Sequence, residues 1–409
     1  MSPPRRRRVV LVQRMLPHYR IEPWNRLAAA LARRDIDFEV HAGQPLPGER
    51  LVDGRSEVPC CAPLENVYLP GGPWWQTVLA RLKGADLVIL EQANGALVNL
   101  PLLIGRATRR ALGRDRQERD PNAPPGFPRL AYYGHGAHLQ APEGPSLRKS
   151  MKRALLRGVD YWFAYTALSR DIVTGAGFPP ERVSVVENSQ ATLGLRLSPE
   201  ERRAVRAGFG MGEGPLAVFC GRLAAQKRIP LVVAGCAAAR ALGPDLGLVV
   251  IGEGPFGGWL ADAAAAAPWI RPVGARFGEE KARILAAADL FVMPTGMGLS
   301  VLDAFAAGLP VATTTLPGHN PEIVYVEDGR NGIVARPAAS AAGHAPQALG
   351  AAIAALAADP VRRAALAAGA RAASARYTVE NMVGNFVGGI EAALDPSVPA
   401  PAAAARASA

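Results

Sequence analysis

Short apolar runs alternate with longer segments of helical periodicity in the first half of the chain. A helix is predicted over 22–34, between the first two apolar runs. Strands alternating with helices are typical of a parallel sheet covered on both faces, so this half predicts an α/β domain. The predicted strands are 8–13, 36–41, 86–90, 129–133, 160–165 and 183–186.

A second alternation follows a connecting helix, which is predicted over 195–212 and begins after a Ser-Pro pair. The predicted strands are 216–220, 247–251, 271–273, 289–293 and 309–313, and the predicted helices are 229–241, 257–266, 279–287 and 299–307. Two doubly wound, Rossmann-like domains in tandem are therefore expected. Ligands of such sheets bind at the carboxyl ends of the strands, so we expect a cleft there.

Four segments follow from this pattern. An N-terminal Rossmann-like domain is predicted over 1–194 and a C-terminal Rossmann-like domain over 195–377. The helix 378–394 is predicted to pack back on the N-terminal domain. Residues 395–409 have low complexity and are predicted to form a disordered tail.

The composition narrows the possible partners. The chain has 409 residues, of which 49% are apolar and 20% charged, which indicates a globular protein with more than one core. A formal net charge of +11 favours anionic partners. The basic residues are not interleaved with aromatic residues and form no nucleic-acid motif, so no nucleic-acid partner is predicted. The four cysteines lack a metal-ligand spacing, which indicates a reduced compartment.

The apolar segments are too short for a signal peptide or a membrane span, so a cytoplasmic protein is expected, soluble or held at the inner face of the membrane. Two predicted helices, 101–114 and 146–157, pair Leu with Arg and Lys at helical spacing. They fit peripheral contact with an anionic membrane. The alternative is that the Leu residues pack on the sheet while the cations are solvated.

The segment VFCGRLAAQKR (218–228) places two cations behind a buried strand. Arg222 offers a planar fork for phosphate oxygens and Lys227 a point charge, and their spacing lets both reach one anion. Two solvated surface cations are the alternative.

The segment IGEGPFGG (251–258) matches the G-x-G-x-x-G pattern of dinucleotide-binding turns. It follows the second strand of its half and not the first, and Pro255 removes an amide that such a turn uses. We therefore do not predict a nicotinamide or flavin site.

The segment MPTGMGLSVLDAFAAGLPV (293–311) combines a Gly-rich turn with the start of a helix. The free N–H groups of a helix start and its dipole favour an anion. Asp303, one turn into the helix, can accept hydrogen bonds from vicinal hydroxyls such as those of a ribose, or be an ordinary helix residue. Glu322 is predicted at another helix start, where its charge matches the dipole.

The order of these motifs resembles a known family. GRLxxxK, IGEGP, DLFVMP, GLSVLDAFAAGLPVA and PEIV with DGRNG look like the C-terminal half of GT-B glycosyltransferases of family 4, over residues 216–335. YYGHGAHLQ (132–140) and the segments 16–31 and 159–189 look like a subgroup of the same family, whose acceptors are often lipid-linked or natural-product sugars. The resemblance implies a GT-B fold, in which an acceptor-binding domain over 1–194 and a nucleotide-sugar-binding domain over 195–377 face a central cleft. It also implies retaining transfer from a nucleotide sugar.

The resemblance also implies site residues. Arg222 and Lys227 would neutralise the donor diphosphate, and His135 would face the transferred sugar, although a structural turn residue is the alternative for His135. An acceptor site is implied at His18, Tyr19 and Arg20, with an ordinary surface loop as the alternative. The implied donor-binding residues are Gly221, Glu253, Arg276, Phe277, Thr295, Gly296, Met297, Gly298, Leu299, Ser300 and Asp303.

Within this set, Gly298 and Leu299 would offer backbone amides to the phosphates or the sugar. Arg276 and Phe277 would grip the nucleotide base. The family has two acids eight positions apart, and here the first falls on Thr295 and the second on Asp303. Loss of the first acid is expected to change the sugar preference and not the leaving-group machinery.

The expected chemistry is glycosyl transfer to a hydroxyl of a glycan, a lipid-linked sugar or a small molecule. No metal-ligand spacing occurs, so no divalent metal and no cofactor beyond the nucleotide-sugar co-substrate are expected. Retention would come from same-face attack, with the departing phosphate taking the acceptor proton. Two alternatives stay open: a nucleotide-sugar enzyme of the same architecture such as a 2-epimerase, and a catalytically silent nucleotide-sugar-binding module.

Overall fold

The computed structural model describes residues 5–46, 52–93, 95–112, 126–136, 157–337 and 344–401. The chain divides into two compact units, with boundaries between Ala191 and Thr192 and between Tyr377 and Thr378. The C-terminal unit comprises Thr192–Tyr377. The N-terminal unit comprises the described residues up to Ala191 together with those from Thr378 onward. The sequence pattern places the first of these boundaries slightly later, after residue 194.

The N-terminal unit is built on a seven-stranded parallel sheet. Its strands are β1 (Arg7–Met15), β2 (Ile36–Gly43), β3 (Cys61–Pro63), β6 (Leu87–Glu91), β7 (Arg129–Gly134), β8 (Tyr161–Ala164) and β9 (Val183–Val185), and a separate antiparallel pair consists of β4 (Asn66–Tyr68) and β5 (Trp74–Gln76). The spatial order is β3-β2-β1-β6-β7-β8-β9. The described helices of the first 191 residues are α1 (Ile21–Ala32), α2 (Asn99–Ala111) and α3 (Ala167–Gly175).

The C-terminal unit is built on a six-stranded parallel sheet. Its strands are β10 (Leu216–Cys220), β11 (Gly247–Ile251), β12 (Ile270–Gly274), β13 (Leu290–Val292), β14 (Val311–Thr314) and β15 (Gly332–Ala335). The spatial order is β12-β11-β10-β13-β14-β15. All five residues of β10 are buried, as expected for a central parallel strand that is covered on both faces.

Seven α-helices of the described chain belong to the C-terminal unit. They are α4 (Pro199–Gly208), α5 (Ile229–Ala241), α6 (Gly257–Ala266), α7 (Gly278–Ala287), α8 (Ser300–Ala306), α9 (Ala345–Ala358) and α10 (Pro360–Arg376). A capping box starts α4, in which the Ser198 side chain accepts from the Glu201 amide while Glu201 accepts from the Ser198 amide. The Ser-Pro pair therefore marks the start of α4 itself, which is shorter than the predicted helix 195–212.

The last helix, α11 (Val379–Leu394), packs in the N-terminal unit. Phe386 is almost fully buried, and its ring lies 5.1 Å from the Phe163 ring and 5.6 Å from the Trp24 ring. A Cβ atom at Gly389 would lie only 2.7 Å from the Phe163 ring, so the absence of a side chain permits this close approach. Aromatic contacts between α1, β8 and α11 thus join the end of the chain to its first half.

The first part of the predicted tail, 395–401, lies within the described residues. Ser397 donates hydrogen bonds from its amide and hydroxyl to Asp395 Oδ1. Ala400 packs against the core of the N-terminal unit. The described chain therefore continues in contact with the unit as far as residue 401, and the remaining residues of the predicted tail lie outside the described residues.

Asp289 joins three elements of the C-terminal unit immediately before β13. Its carboxylate accepts hydrogen bonds from Arg202 and Arg206 of α4, each at 2.6 Å, and from the Leu216 amide of β10 at 2.8 Å. Burial alone raises the pKa of Asp289, but the charges of Arg202 and Arg206 outweigh it, so the pKa is lowered. The carboxylate is therefore held in its charged form by the fold.

The substitution Asp289→Asn is expected to lower the free energy of unfolding by roughly 3 kcal/mol at neutral pH, because it leaves the buried guanidinium of Arg206 and the half-buried guanidinium of Arg202 without their charge partner. Since the pKa of Asp289 is lower in the folded state, this stabilisation is present above the ordinary carboxyl pKa and is lost as pH falls through the folded value. Urea unfolding followed by circular dichroism measures the change.

The control for this substitution is Asp262→Asn, since Asp262 lies exposed on α6. That variant should unfold within about 0.5 kcal/mol of the unmodified protein. Equal unfolding free energies for the two variants would show that the Asp289 contacts carry no net stabilisation.

Candidate functional site

The topology of the C-terminal sheet brings three loops together. The chain moves outward from β10 in both directions, to β11 on one side and β13 on the other, so the carboxyl ends of β10 and β13 flank the point where the strand order reverses. The loops after β10, β13 and β14 meet there. We refer to residues 221–228, 293–299 and 315–320 as the loop cluster.

Lys227 brings a half-buried cation into the loop cluster. Its side chain passes beside Gly221, where a Cβ atom would lie 3.7 Å from Lys227 Cε, and its Nζ donates a hydrogen bond to the carbonyl oxygen of Gly296. Burial lowers the pKa of Lys227 to about 8, although the negative charge of Glu322 acts in the opposite direction. This burial excludes the alternative of a solvated surface cation for Lys227.

Arg222, the second predicted cation, lies exposed at the same edge of the sheet. Within the described part of the chain its side chain makes no hydrogen bond or ion pair. The loop cluster thus combines one half-buried and one exposed cation, and the guanidinium of Arg222 remains available for an anion.

The Gly-rich turn is fixed from behind by two threonines of β14. Thr313 Oγ1 donates to the carbonyl oxygen of Met293, and Thr314 Oγ1 donates to that of Pro294, each at 2.7 Å. Both threonine side chains are buried. The backbone of the turn therefore has its position set by the strand beneath it.

Two predicted donor-binding residues of this turn, Thr295 and Met297, have buried side chains. Thr295 is fully buried, and its hydroxyl donates to the carbonyl oxygen of Gln226 at 2.8 Å, so it faces the protein and not a ligand. Met297 is also fully buried, and its amide lies 3.3 Å from His319 Nδ1. The amide of Gly296 is used as well, since it donates to the carbonyl oxygen of Gly318.

His319 was not identified from the sequence, although it determines how the turn is held. Its Nε2 lies 3.0 Å from the carbonyl oxygen of Thr314, which can only accept, so Nε2 carries the proton. Nδ1 is then the acceptor for the Met297 amide. Burial lowers the pKa of His319 to about 4, which keeps the ring neutral and in this tautomer at physiological pH.

Gly298, Leu299 and Ser300 lead from the turn into α8. A Cβ atom at Gly298 would lie 2.9 Å from Asn320 Nδ2, so the missing side chain lets the two loops approach each other. Ser300 is partly exposed, and its hydroxyl contacts the Met293 sulfur at 3.7 Å. These three residues keep the places at the helix start that the sequence predicts.

Asp303 is more enclosed than predicted. It is 5% exposed, and its Oδ2 accepts from Lys281 Nζ of α7 at 2.8 Å. Lys281 was not identified from the sequence, because α7 and α8 are separated by β13 along the chain. The carboxylate that resembles the ribose-binding acid is thus part of an ion pair, which excludes the alternative of an ordinary exposed helix residue.

The predicted base-binding residues lie at the ends of β11 and β12. Glu253 and Arg276 approach each other at Gly274, where a Cβ atom would lie 3.7 Å from Glu253 Oε1 and 3.8 Å from Arg276 Nη1. Arg276 also pairs with Glu280 at 2.8 Å. Phe277 is 56% exposed immediately before α7, where a flat aromatic ring can stack on a base.

The G-x-G pattern at 252–254 has a structural explanation. A Cβ atom at Gly252, whose φ is +141°, would lie 1.9 Å from the carbonyl oxygen of Gly221, and one at Gly254 would lie 2.5 Å from that of Leu223. Both glycines therefore let the loop after β11 lie directly against the loop after β10.

Glu322 is buried within the short 3-10 helix Pro321–Tyr325. The sequence predicts it at a helix start, and it lies in the first turn of that segment. Its charge also acts on Lys227, as described above. Glu322 therefore contributes to the electrostatics of the loop cluster.

In the N-terminal unit, His135 follows β7 at the carboxyl edge of the sheet. Its ring lies 4.7 Å from the Tyr165 ring in a T-shaped contact. Burial raises the pKa of the Tyr165 hydroxyl well above its ordinary value, so this ring is a neutral neighbour. Gly136, with a φ of +81°, turns the chain directly after the histidine.

The predicted acceptor residues His18, Tyr19 and Arg20 form a 3-10 helix after β1. His18 and Tyr19 are partly exposed, but Arg20 is only 5% exposed. The Arg20 guanidinium donates to Asn188 Oδ1 at 2.7 Å and lies 5.6 Å from the Trp24 ring. The Arg20 side chain is therefore packed inside the unit, in contrast to those of His18 and Tyr19.

Glu91 is a polar residue that the sequence analysis did not identify. It ends β6 beside β1, where the strand order of the N-terminal sheet reverses, and its Oε2 accepts from the Arg14 amide at 2.7 Å. Burial raises the pKa of Glu91. Its position directly after the apolar run 86–90 was the signal that could have identified it.

The membrane prediction can be followed only on α2, since its second segment lies outside the described residues apart from Arg157. Leu102 and Leu103 pack inside, whereas Leu100, Ile104 and Leu112 are 44%, 64% and 59% exposed. No helix in the described ranges is long and apolar enough to cross a bilayer.

The described ranges also contain no cluster of three or more His, Cys, Asp or Glu residues that could hold a metal ion.

Curated relatives match part of this chain. A D-inositol 3-phosphate glycosyltransferase of Stackebrandtia nassauensis is 32% identical over 212 residues, which cover 47% of this chain and 45% of the relative. A GDP-mannose-dependent alpha-(1-6)-phosphatidylinositol monomannoside mannosyltransferase of Mycolicibacterium smegmatis is 30% identical, over 42% of this chain and 46% of the relative. The chain thus spans less than half the length of these two relatives.

Solved structures match the whole fold. Anabaena Alr3699/HepE in complex with UDP and glucose superposes with a TM-score of 0.64 at 17% identity, over 94% of this chain and 100% of the other. WaaG, a glycosyltransferase involved in lipopolysaccharide biosynthesis, gives a TM-score of 0.60 at 16% identity, over 92% of this chain and 98% of the other. Residues 214–359 match the sequence model of the family described as glycosyl transferases group 1. The chain therefore has the GT-B fold, and its C-terminal unit contains a glycosyl transferases group 1 domain.

Proposed function

We propose that this protein is a glycosyltransferase that moves a sugar from a nucleoside-diphosphate sugar to a hydroxyl of a glycan, lipid-linked or small-molecule acceptor. The observation that carries the proposal is the pair of cations at the switch point of the C-terminal sheet, Arg222 exposed and Lys227 half-buried. The group 1 domain and the glycosyltransferase relatives support it. Glycoconjugate or polysaccharide biosynthesis is the corresponding biological role.

Arg222 and Lys227 supply what the leaving group needs. As the bond between the sugar C1 and the diphosphate oxygen breaks, negative charge grows on the diphosphate, and preorganised donors aimed there are usually the largest catalytic contribution. Arg222 offers a fork of N–H donors from an exposed position. Lys227 offers an ammonium in a desolvated place, where its interaction with an anion is stronger than in water.

The reaction is completed by the acceptor hydroxyl, which attacks C1 on the face that the diphosphate leaves. The acceptor oxygen forms the new bond to C1, and its proton passes to the departing phosphate oxygen. This sequence retains the anomeric configuration and needs no nucleophile from the protein. Two cationic side chains acting on the diphosphate make the transfer independent of a divalent metal in this proposal.

The remaining site residues follow the resemblance to the family. Asp303 takes the ribose hydroxyls, and Phe277 stacks on the base with Arg276 and Glu253 beside it. The amides of Gly298 and Leu299 face the phosphates. In the N-terminal unit, His135 contacts the transferred sugar, and His18 and Tyr19 belong to the acceptor side. A silent binding module would bind nucleotides but would not release the nucleotide from a nucleotide sugar. The turnover measurement described below distinguishes it from an enzyme.

The substitution Arg222→Ala is expected to weaken binding of a nucleoside diphosphate by at least tenfold, about 1.4 kcal/mol, because it removes a charge-assisted contact. Isothermal titration calorimetry with UDP, GDP, ADP and TDP measures the affinity. Release of the nucleotide from the matching sugar nucleotides, with and without EDTA, measures turnover and its dependence on metal.

Arg203→Ala is the matched control, since Arg203 is an exposed arginine of α4 in the same unit. It should bind as the unmodified protein does. If Arg222→Ala and Arg203→Ala bind equally well, the diphosphate is not held by Arg222. If the unmodified protein binds none of the four nucleotides, the donor site itself is ruled out.

Binding is also expected to weaken above pH 8. The folded pKa of Lys227 is lowered to about 8, so the free protein loses this positive charge as pH rises through that value, while the bound anion favours the charged form. The dissociation constant should therefore rise by up to about tenfold per pH unit above 8. In Lys227→Arg, whose guanidinium stays charged, this alkaline increase should be absent. A flat profile from neutral pH to pH 9.5 in the unmodified protein would contradict the assignment.

The α2 surface is proposed as a peripheral contact with anionic membranes. The protein should sediment with vesicles that contain phosphatidylglycerol at low salt and be released at high salt, because salt screens the attraction between the arginines of α2 and the anionic lipid. Ile104→Glu should reduce the sedimented fraction several-fold. Leu242→Glu is the control, since Leu242 is an equally exposed residue of the C-terminal unit. Sedimentation that is absent at low salt, or is reduced equally in both variants, would refute the α2 contact.

A further inference from the structure

Thr295 stands where the resembling family has the first of its two acids, but its side chain has a different environment. It is fully buried, and its Oγ1 lies 2.8 Å from the carbonyl oxygen of Gln226. A carbonyl oxygen only accepts, so the threonine hydroxyl is the donor. A carboxylate at this place would set two acceptors against each other. The position therefore suits a hydroxyl and not an acid.

Two hydrogen bonds join the same two loops, and their donors lie on opposite sides. Thr295 donates to the backbone of Gln226, and Lys227, the next residue, donates back to the backbone of Gly296, the residue after Thr295. A Cβ atom at Gly296 would lie 2.9 Å from both Gln226 O and Lys227 Cδ. The two loops thus touch without an intervening side chain and are joined by a reciprocal pair of hydrogen bonds.

The position of Lys227 depends on this junction. Its ammonium is desolvated, which disfavours the charged form, and its chain is long enough to reach water if the loop moves. The titratable groups whose charges are coupled to it are Glu322, Cys220 and His319. Burial raises the pKa of Cys220 to about 12 and lowers that of His319 to about 4, so neither changes charge near pH 8.

We propose that Thr295 is a positioning residue, whose buried hydroxyl holds the Gln226 backbone and thereby keeps Lys227 in the place where it meets the donor diphosphate. The acid position of the family serves the diphosphate-binding cation in this chain and not the donor sugar. This inference rests on the proposed function for its ligand. The contact between Thr295 and the Lys227 loop does not depend on that ligand.

The test compares Thr295→Val, which keeps the shape and removes the hydroxyl, with Thr295→Ser, which keeps the hydroxyl. Thr313→Val is the matched control, because Thr313 is also a buried threonine that donates to the backbone of the same turn, at Met293, but among the described residues its side chain makes no hydrogen bond to the Lys227 loop. The first readout needs no ligand. The chain has five lysines, so [13C]lysine labelling gives few Cε signals, and Lys227→Arg assigns the one for Lys227.

In a pH titration, the pKa of Lys227 is expected to rise in Thr295→Val, because a released ammonium gains solvent, and to stay at its original value in Thr295→Ser and Thr313→Val. The second readout is calorimetry with the nucleoside diphosphate that binds the unmodified protein. Thr295→Val should bind about fivefold more weakly, as the loss of one hydrogen bond predicts, and Thr295→Ser within about twofold.

An unchanged Lys227 pKa in Thr295→Val overturns the inference, and so does an equal change in Thr313→Val, which would reveal a general loosening of the turn. If Thr295→Val does not fold, Thr295→Ala provides the same comparison with a smaller side chain. If the unmodified protein binds no nucleoside diphosphate while the Lys227 pKa still rises only in Thr295→Val, the positioning of Lys227 stands and the proposed function fails.

Discussion

The desolvated ammonium of Lys227 is the constraint on which the loop cluster depends. A cation taken out of water must be compensated by its surroundings, or it loses its proton. In this chain the compensation comes from the carbonyl oxygen of Gly296 and from the charge of Glu322. The carbonyl can serve only where the Gly-rich turn lies against the Lys227 loop, and the Thr295 hydroxyl joins the two. Thr313, Thr314 and His319 hold other parts of the turn from beneath, and all three side chains are buried.

The site residues fall into two groups, according to whether contacts inside the unit fix their side chains. Lys227, Thr295 and Asp303 are fixed by hydrogen bonds or ion pairs inside the unit, whereas Arg222 and Phe277 are exposed. The fixed residues determine where charge lies before any ligand is present. The exposed ones can adapt to the ligand. This division fits a site in which the electrostatics is preorganised and the contacts at the periphery are adjustable.

Much of the fold could be predicted from the sequence, because continuous apolar runs such as 216–220 match the buried central strands of a parallel sheet. The helices α9 and α10 could not be predicted in this way. Residues 345–358 are apolar on almost every side, and residues 360–376 mix alanine with arginine, so neither shows a clear apolar stripe. The strand β15 is short, and it completes an edge of the sheet that only tertiary contacts define.

Only part of the site could be predicted from the sequence, because some of its contacts depend on tertiary structure. Spacing along the chain identified Arg222 and Lys227, because both follow one strand. The direction in which Thr295 points, the burial of Arg20 and the pairing of Asp303 with Lys281 depend on elements that are distant in sequence. His319 lies in a loop with no motif of its own, and its role arises only where that loop meets the turn.

The hydrogen bond from Lys227 to Gly296 also has a consequence for which anions the loop cluster can retain. A ligand gains only the difference between its own hydrogen bond to the ammonium and the one it replaces at the carbonyl. A weakly interacting monoanion such as chloride gains little from this exchange. Under the proposed function, a multiply charged phosphate would gain much more, since the exposed guanidinium of Arg222 would bind it as well. The carbonyl of Gly296 would then compete with the ligand for the ammonium and favour multiply charged anions over monoanions.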